Sequence, residues 1–292
     1  MKHEKQELEN RVTSYIKRLL TSHITGLSMA QLLAEPNLQL TKEQQVWLDD
    51  AICRLGNNEP LQHVLGYSEF YGRRFKCDGR ALVPRPETEE LVDWILHDIS
   101  TLNSQLSTLN SQLSTLNLLD IGTGTGCIAL SLAKELTNST VTALDISEEA
   151  LSLAKENAKL LEVENVDFIK GDILNIETQN TETQNIASLQ KYEIIVSNPP
   201  YVRECEKAEM EANVLDYDPH TALFVTDDDP LIFYRTIGKF ALTHLTPNGA
   251  LYFEINQYLG QETCDLLIGL GYKNVELRED INGNARMIKA IL

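Results

Sequence analysis

Leu118-Leu119-Asp120-Ile121-Gly122-Thr123-Gly124-Thr125-Gly126 joins an apolar strand to a helix that begins near Cys127, and its reading decides the fold. Three glycines at alternate positions let the backbone turn sharply and approach a ligand without a Cβ in the way, beside a helix N-terminus. Nineteen residues after Gly126, Asp145 closes the next apolar run, Val141-Thr142-Ala143-Leu144, where a carboxylate can accept both ribose hydroxyl protons. A glycine loop with an acid at that spacing implies a nucleoside ligand. Gly124-x-Gly126-x-x-Ala129 also satisfies the dinucleotide fingerprint, so the loop leaves the kind of nucleoside open. A third strand ends at Gly171-Asp172, which puts Asp172 and Ile173 where a carboxylate and an apolar side chain can meet an adenine edge and face.

Outward from the loop, strand and helix signals alternate. Strands are expected near 117–121, 140–145, 166–169, 192–197, 249–255, 274–278 and 286–291, and such alternation argues an α/β sheet of mostly parallel type. Upstream, Leu8, Val12, Tyr15, Ile16, Leu19 and Leu20 share one helical face, and a second short helix around Met29–Ala34 stops before Pro36. Thr41 with Gln44 forms a capping box ahead of Val46, Trp47, Ala51, Ile52 and Leu55, and Gly56 can end that helix. The first 60 residues or so read as a small helical bundle. Loose alternation between 68 and 83, around Gly72 and Gly79, suggests a hairpin. It delivers the chain to Pro84-Arg85-Pro86, where a helix starts and runs through Leu91, Val92, Ile95, Leu96 and Ile99.

Two stretches break the alternation. Residues 101–117 read TLNSQLS-TLNSQLS-TLN, and residues 177–185 read ETQN-T-ETQN. Leu102, Leu106, Leu109, Leu113 and Leu116 have coiled-coil spacing, but the run is barely two heptads, uncharged and rich in Ser, Thr and Asn. Both duplications read as tolerated expansions of surface connections, because loop length enters closure entropy only logarithmically.

After the fourth strand comes Asn198-Pro199-Pro200-Tyr201. Two prolines stop the strand and remove two backbone donors, leaving acceptors. The Asn198 side-chain oxygen and the Pro199 carbonyl can point together at an NH2 group, while Tyr201 can pack its ring against a planar amide or base. That arrangement suits methyl transfer to an amide or exocyclic amine, whose lone pair is conjugated and poorly nucleophilic. Other residues invite a role and a plainer reading together. Arg85 and Glu87 either line the donor pocket or make an interdomain ion pair. His220 reads as shaping a loop rather than as a base, and Asp227-Asp228-Asp229 before Pro230 as a solvated helix start rather than a metal cluster.

The chain has 292 residues, enough for about two domains. Forty-three acidic against 25 basic residues leave a formal charge of −18, which disfavours non-specific binding to phosphate backbones. Five cysteines, at 53, 77, 127, 205 and 264, include no C-x-x-C pair, so neither a disulfide framework nor a zinc site is expected. No apolar run reaches the roughly 18 residues a membrane span needs, and the first ten residues carry no signal-like apolar core. A reduced, cytoplasmic protein with no membrane partner is expected.

These residues together resemble the HemK/PrmC-type family of peptide chain release factor glutamine methyltransferases over nearly the whole chain. Glu59-Pro60-Leu61-Gln62 through Leu65-Gly66, Phe70-Tyr71-Gly72, Phe75 and Leu82-Val83-Pro84-Arg85-Pro86-Glu87-Thr88-Glu89 are similar to that family's interdomain signature. Asn213-Val214-Leu215, Pro219-His220, Ala222-Leu223-Phe224, Asp280, Gly283 and Arg286 follow in family order. The resemblance implies a Rossmann-like seven-stranded S-adenosylmethionine-dependent methyltransferase domain over 87–292. Before it come a helical substrate-recognition domain over 1–66 and a hairpin linker over 67–86. It also implies S-adenosylmethionine as cofactor and the glutamine of the Gly-Gly-Gln loop of class I release factors as acceptor, with no direct nucleic-acid partner. Asp145 would hold the ribose. Gly122, Thr123, Gly124, Thr125 and Gly126 would hold the methionine end, with Asp172, Ile173 and Asn198 completing the donor site. Asn198 and Pro199, with Pro200 and Tyr201, would serve the glutamine amide. Rival readings are an exocyclic-amine methyltransferase on DNA or RNA and a ribosomal-protein glutamine methyltransferase.

Overall fold

The structure, a computed structural model, describes residues 12–107, 115–175 and 191–292. Four helices come first: α1 (Ser14–Thr25), α2 (Met29–Ala34), α3 (Lys42–Gly56) and α4 (Leu61–Leu65). Local chemistry sets their ends. The Gln44 N–H donates to Thr41 Oγ1 at 3.2 Å and the Thr41 N–H to Gln44 Oε1 at 2.9 Å, which is the capping box read from the sequence; Ser28 and Gln31 form a second one. Val12, Leu20, Ala51, Ile52 and Val64 close a small separate core.

A hairpin follows, β1 (Tyr67–Phe70) and β2 (Arg73–Lys76). Tyr71 and Gly72 both take positive φ, 48° and 69°, as a two-residue turn matched to strand twist requires. The hairpin is shorter than the alternation between 68 and 83 suggests: after Lys76 the chain has no further strand before α5 (Pro86–Ser107). Fully buried Asn157 holds it down. Its Oδ1 accepts the Lys76 N–H at 2.6 Å, and its Nδ2 donates to the carbonyls of Lys76 (3.1 Å) and Thr125 (2.9 Å), linking β2 to the glycine loop.

The remaining strands are β3 (Leu116–Ile121), β4 (Ser139–Asp145), β5 (Val166–Lys170), β6 (Tyr192–Ser197), a small parallel pair β7 (Val202–Arg203) and β8 (Phe224–Val225), β9 (Leu245–Glu254), β10 (Asn274–Glu279) and β11 (Ala285–Ile291). Seven of them make one sheet in the order β10-β11-β9-β6-β3-β4-β5, parallel except for β11, which runs antiparallel to both neighbours. The helices α6 (Cys127–Glu135), α7 (Glu148–Leu160), α8 (Ala212–Tyr217), α9 (His220–Leu223), α10 (Ile232–His244) and α11 (Gly260–Leu270) fill the connections. One face of the sheet packs on α5 and α6 through Leu91, Ile95, Ile128 and Leu132, and the other on α10 and α11 through Tyr234, Ile237 and Leu267. The expected α/β class and seven-stranded, mostly parallel sheet are therefore present.

Two further details differ from the sequence reading. β9 starts at Leu245, before the expected 249, because a register shift lets Pro247 sit in the strand opposite an irregularity between Tyr192 and Ile194. Leu116 is the buried first residue of β3, paired with Ser139, and so belongs to the sheet rather than to a leucine seam. Leu109, Leu113 and the ETQN duplication lie outside the described residues. Replacing buried Asn157 with Ala removes all three of these bonds and should destabilise the protein by about 1–3 kcal/mol, read as a lower denaturation midpoint with an unchanged m-value.

Candidate active site

A cavity of about 600 Å³ opens at the C-terminal ends of β3, β4, β5 and β6. β4 and β5 extend to one side of β3 and β6 lies on the other, which makes β3/β6 the switch point where open α/β sheets bind ligands. Gly122, Thr123, Gly124, Thr125, Asp145, Asp172, Ile173, Asn198, Pro199 and Pro200 all line the cavity. Gly126 does not. It sits at φ 81°, and a Cβ there would lie 3.0 Å from Leu130 Cδ1 and 3.2 Å from Ala154 Cβ, so its smallness serves the packing of α6 against α7.

Asp145 is buried at the end of β4, its Oδ2 accepting the Gly124 N–H at 2.8 Å and its Oδ1 the Ser147 N–H at 2.9 Å. Each oxygen keeps a further lone pair for a ligand hydroxyl. Burial raises its pKa above the usual carboxylate value, against the pull of these N–H donors. Asp172 caps the turn Ile173–Asn175, taking the Leu174 N–H at 2.9 Å and the Asn175 side-chain amide at 2.8 Å.

Sequence reasoning missed several residues. Asp120 lies wholly buried beneath the loop, its Oδ2 accepting the Thr123 hydroxyl at 2.7 Å and the Ala129 N–H at 3.2 Å, and burial pushes its pKa up to about 7. It braces the loop without lining the cavity. Ile146 stands 57% exposed against the cavity, an apolar surface beside Asp145. The signal for both was present: an acid inside an apolar strand, and an isoleucine just past a strand end.

Asn198 and Pro199 also border a second cavity of about 220 Å³, walled by Tyr201, Met210 and Val214. They thus stand between the two spaces. Among the described residues, neither Asn198 Oδ1 nor the Pro199 carbonyl is hydrogen-bonded. The Asn198 Nδ2 faces Thr88 Oγ1 at 3.4 Å; the Thr88 hydroxyl donates to Glu254 Oε2 at 2.6 Å; and the Tyr201 hydroxyl donates to Glu254 Oε1 at 3.0 Å. Glu254 is 1% exposed at the end of β9. Burial raises its pKa, opposed by the two hydroxyls and the positive charge of Arg286.

Arg85 lines both cavities and pairs with buried Asp218 at 3.0 Å, and Asp218 also accepts the Val83 N–H at 3.4 Å. Glu87 lines neither cavity. His220 Nε2 lies 2.9 Å from the Leu215 carbonyl, its ring edge-on to Phe224, so it braces the α8–α9 loop. Asp229 pairs with Arg235 and Asp227 caps the Cys205 N–H; among the described residues no cluster of three metal-binding side chains occurs.

Residues 112–266 match a methyltransferase domain model and residues 6–66 match the PrmC N-terminal domain. A release factor glutamine methyltransferase of Flavobacterium psychrophilum is 47% identical over 263 residues, covering 90% of this chain and 86% of that one. One from Bacteroides thetaiotaomicron is 40% identical over 298 residues, covering 96% and 99%. The chain belongs to the release factor glutamine methyltransferase family. Among solved structures, the hMettl16 catalytic domain in complex with MAT2A 3'UTR hairpin 6 superposes with a TM-score of 0.55 at 17% identity, over 83% of this chain and 82% of that one, a likeness of fold.

The cofactor of a methyltransferase of this family is S-adenosylmethionine, and the donor set of the larger cavity fits it. Asp145 offers open lone pairs for a ribose diol, Ile146 and Ile173 offer apolar surface for a purine, and the glycine loop leaves room for the amino-acid end. Asp145→Ala should weaken S-adenosylmethionine binding by about 1.5–3 kcal/mol, measured by calorimetry on the folded variant. Unchanged affinity would remove Asp145 from the site.

Proposed function

We propose that this protein transfers the methyl group of S-adenosylmethionine to the side-chain amide nitrogen of the glutamine in the Gly-Gly-Gln loop of class I release factors. The observation that carries the reading is the pair of unsatisfied acceptors, Asn198 Oδ1 and the Pro199 carbonyl, on the wall between a nucleoside-sized cavity and a smaller one. S-adenosylmethionine supplies an electrophilic methyl on a sulfonium. The protein's share is orientation and electrostatics. An amide nitrogen is a poor nucleophile because its lone pair is delocalised into the carbonyl. Accepting both of its N–H hydrogens fixes the nitrogen's position and stabilises the positive charge it gains as the methyl arrives. The N-methylated amide cation is strongly acidic and sheds its proton without a strong base.

The N-terminal domain over 1–66 is the proposed recognition domain, joined to the catalytic domain over 87–292 by a linker over 67–86 that contains the β1–β2 hairpin. Leu33 and Val46 support that role, since each leaves a large apolar side chain 64% and 70% exposed on the bundle. The wall of Tyr201, Met210 and Val214 would admit the stem of a glutamine rather than a flat base. No helix among the described residues is long and apolar enough to cross a membrane.

The test presents release factor, DNA and ribosomal protein side by side with labelled S-adenosylmethionine and maps any methyl by mass spectrometry. Label on the Gly-Gly-Gln glutamine is expected, and label only on DNA or ribosomal protein contradicts the reading. Asn198→Ala should lower kcat about a hundredfold or more while most donor contacts remain, so the loss falls mainly on turnover. Release factor carrying Glu in place of that Gln should not be methylated, since a carboxylate offers no N–H and meets two acceptors.

A further inference from the structure

The geometry points to Thr88 and Glu254 as positioning residues that fix which way the Asn198 amide faces, an inference that rests on the acceptor role proposed for Asn198. The two ends of an Asn side chain are nearly the same shape, so their orientation is decided by hydrogen-bond partners. An acceptor site for an NH2 group works only with Oδ1 turned toward it. If the amide flips, Nδ2 faces the incoming N–H groups and donors oppose donors.

Thr88 supplies the discrimination, because a hydroxyl has a single proton. That proton is committed to Glu254 Oε2 at 2.6 Å. Glu254 has no better alternative: it is buried at the end of β9, its other oxygen takes the Tyr201 hydroxyl at 3.0 Å, and Arg286 is a neighbouring positive charge. Thr88 Oγ1 is left with lone pairs only on the side facing Asn198. It can accept from Nδ2, which lies 3.4 Å away, and it repels Oδ1. The carboxylate therefore sets the direction of the whole chain, Asn198 to Thr88 to Glu254, and leaves Oδ1 directed away from Thr88 and available to the acceptor. Thr88 lies in the first turn of α5 and Glu254 ends a strand on the far side of β6, so the relay also ties that helix to the sheet.

Glu254→Gln reverses the logic with little change in shape. Its amide can donate to Thr88 Oγ1, which frees the Thr88 proton for Asn198 Oδ1 and favours the flipped amide. Glu254→Gln and Thr88→Val should each lower kcat at least tenfold while the donor Kd and the acceptor KM change by less than about threefold. Thr88→Ser keeps the hydroxyl and should restore kcat to within about threefold. In an Asn198→Ala background the same substitutions should cost less than about twofold more, because the group they orient is gone.

Wild-type kcat in Glu254→Gln, losses that multiply in the Asn198→Ala background, or failure of Ser to rescue would each overturn the inference. A Thr88→Val protein that does not fold leaves Glu254→Gln and its cycle to decide. The cycle uses whichever of release factor, DNA or ribosomal protein the wild type methylates, so an incorrect acceptor in the functional reading is seen in the wild-type reaction alone.

Discussion

Ile121 and Ser197 are neighbours across two parallel strands, and the Ser197 hydroxyl donates to the Ile121 carbonyl at 2.7 Å. Everything at the site depends on that pairing. The residue after Ile121 opens the glycine loop, and the residue after Ser197 is Asn198. Parallel strands put both C-terminal ends on the same edge of the sheet, so the glycine loop and a pair of open acceptor oxygens meet although 76 positions of sequence separate the paired residues. The inter-strand ladder holds them at sheet spacing on rigid elements, which is what alignment of a methyl group with a weak nucleophile demands.

Buried carboxylates organise the segments around that edge. Asp120 holds the glycine loop down, Asp145 joins the loop to the end of β4, Asp218 clips the linker through Val83 and Arg85, and Glu254 gathers Thr88 and Tyr201. A buried carboxylate costs desolvation energy unless several donors meet it, and each of these has at least two. The consequence is a site whose carboxylates are held by donors before any ligand arrives, while Asn198 Oδ1 and the Pro199 carbonyl stay open, so little reorganisation accompanies reaction.

Much of this was legible in the sequence, for physical reasons. Strand periodicity is local, so β3 to β6 fell where alternation and apolar runs placed them. The glycine loop, Asp145, Asp172, Ile173 and the Asn198–Tyr201 turn needed only spacing to be picked out, and all but Gly126 and Tyr201 line the larger cavity. Gly126 went elsewhere because the need for a small residue there comes from Leu130, one turn along the same helix, and from Ala154 on the facing helix α7, a contact that spacing does not encode. Tyr201 walls the neighbouring cavity, with its hydroxyl bound to Glu254. Glu254 falls inside the strand expected near 249–255, behind the apolar run Leu251-Tyr252-Phe253, and drew no separate reading. Its partner Thr88 lies 166 positions away, and only the tertiary fold brings them together.

The central claim is that Asn198 Oδ1 and the Pro199 carbonyl receive the two N–H hydrogens of the acceptor. A crystal structure of the protein with S-adenosylhomocysteine and a Gly-Gly-Gln peptide tests it most directly. The account predicts both oxygens within hydrogen-bond distance of the glutamine amide nitrogen, with the Asn198 Nδ2 still facing Thr88. An amide nitrogen held by other groups, or an Asn198 oxygen turned toward Thr88, would contradict it.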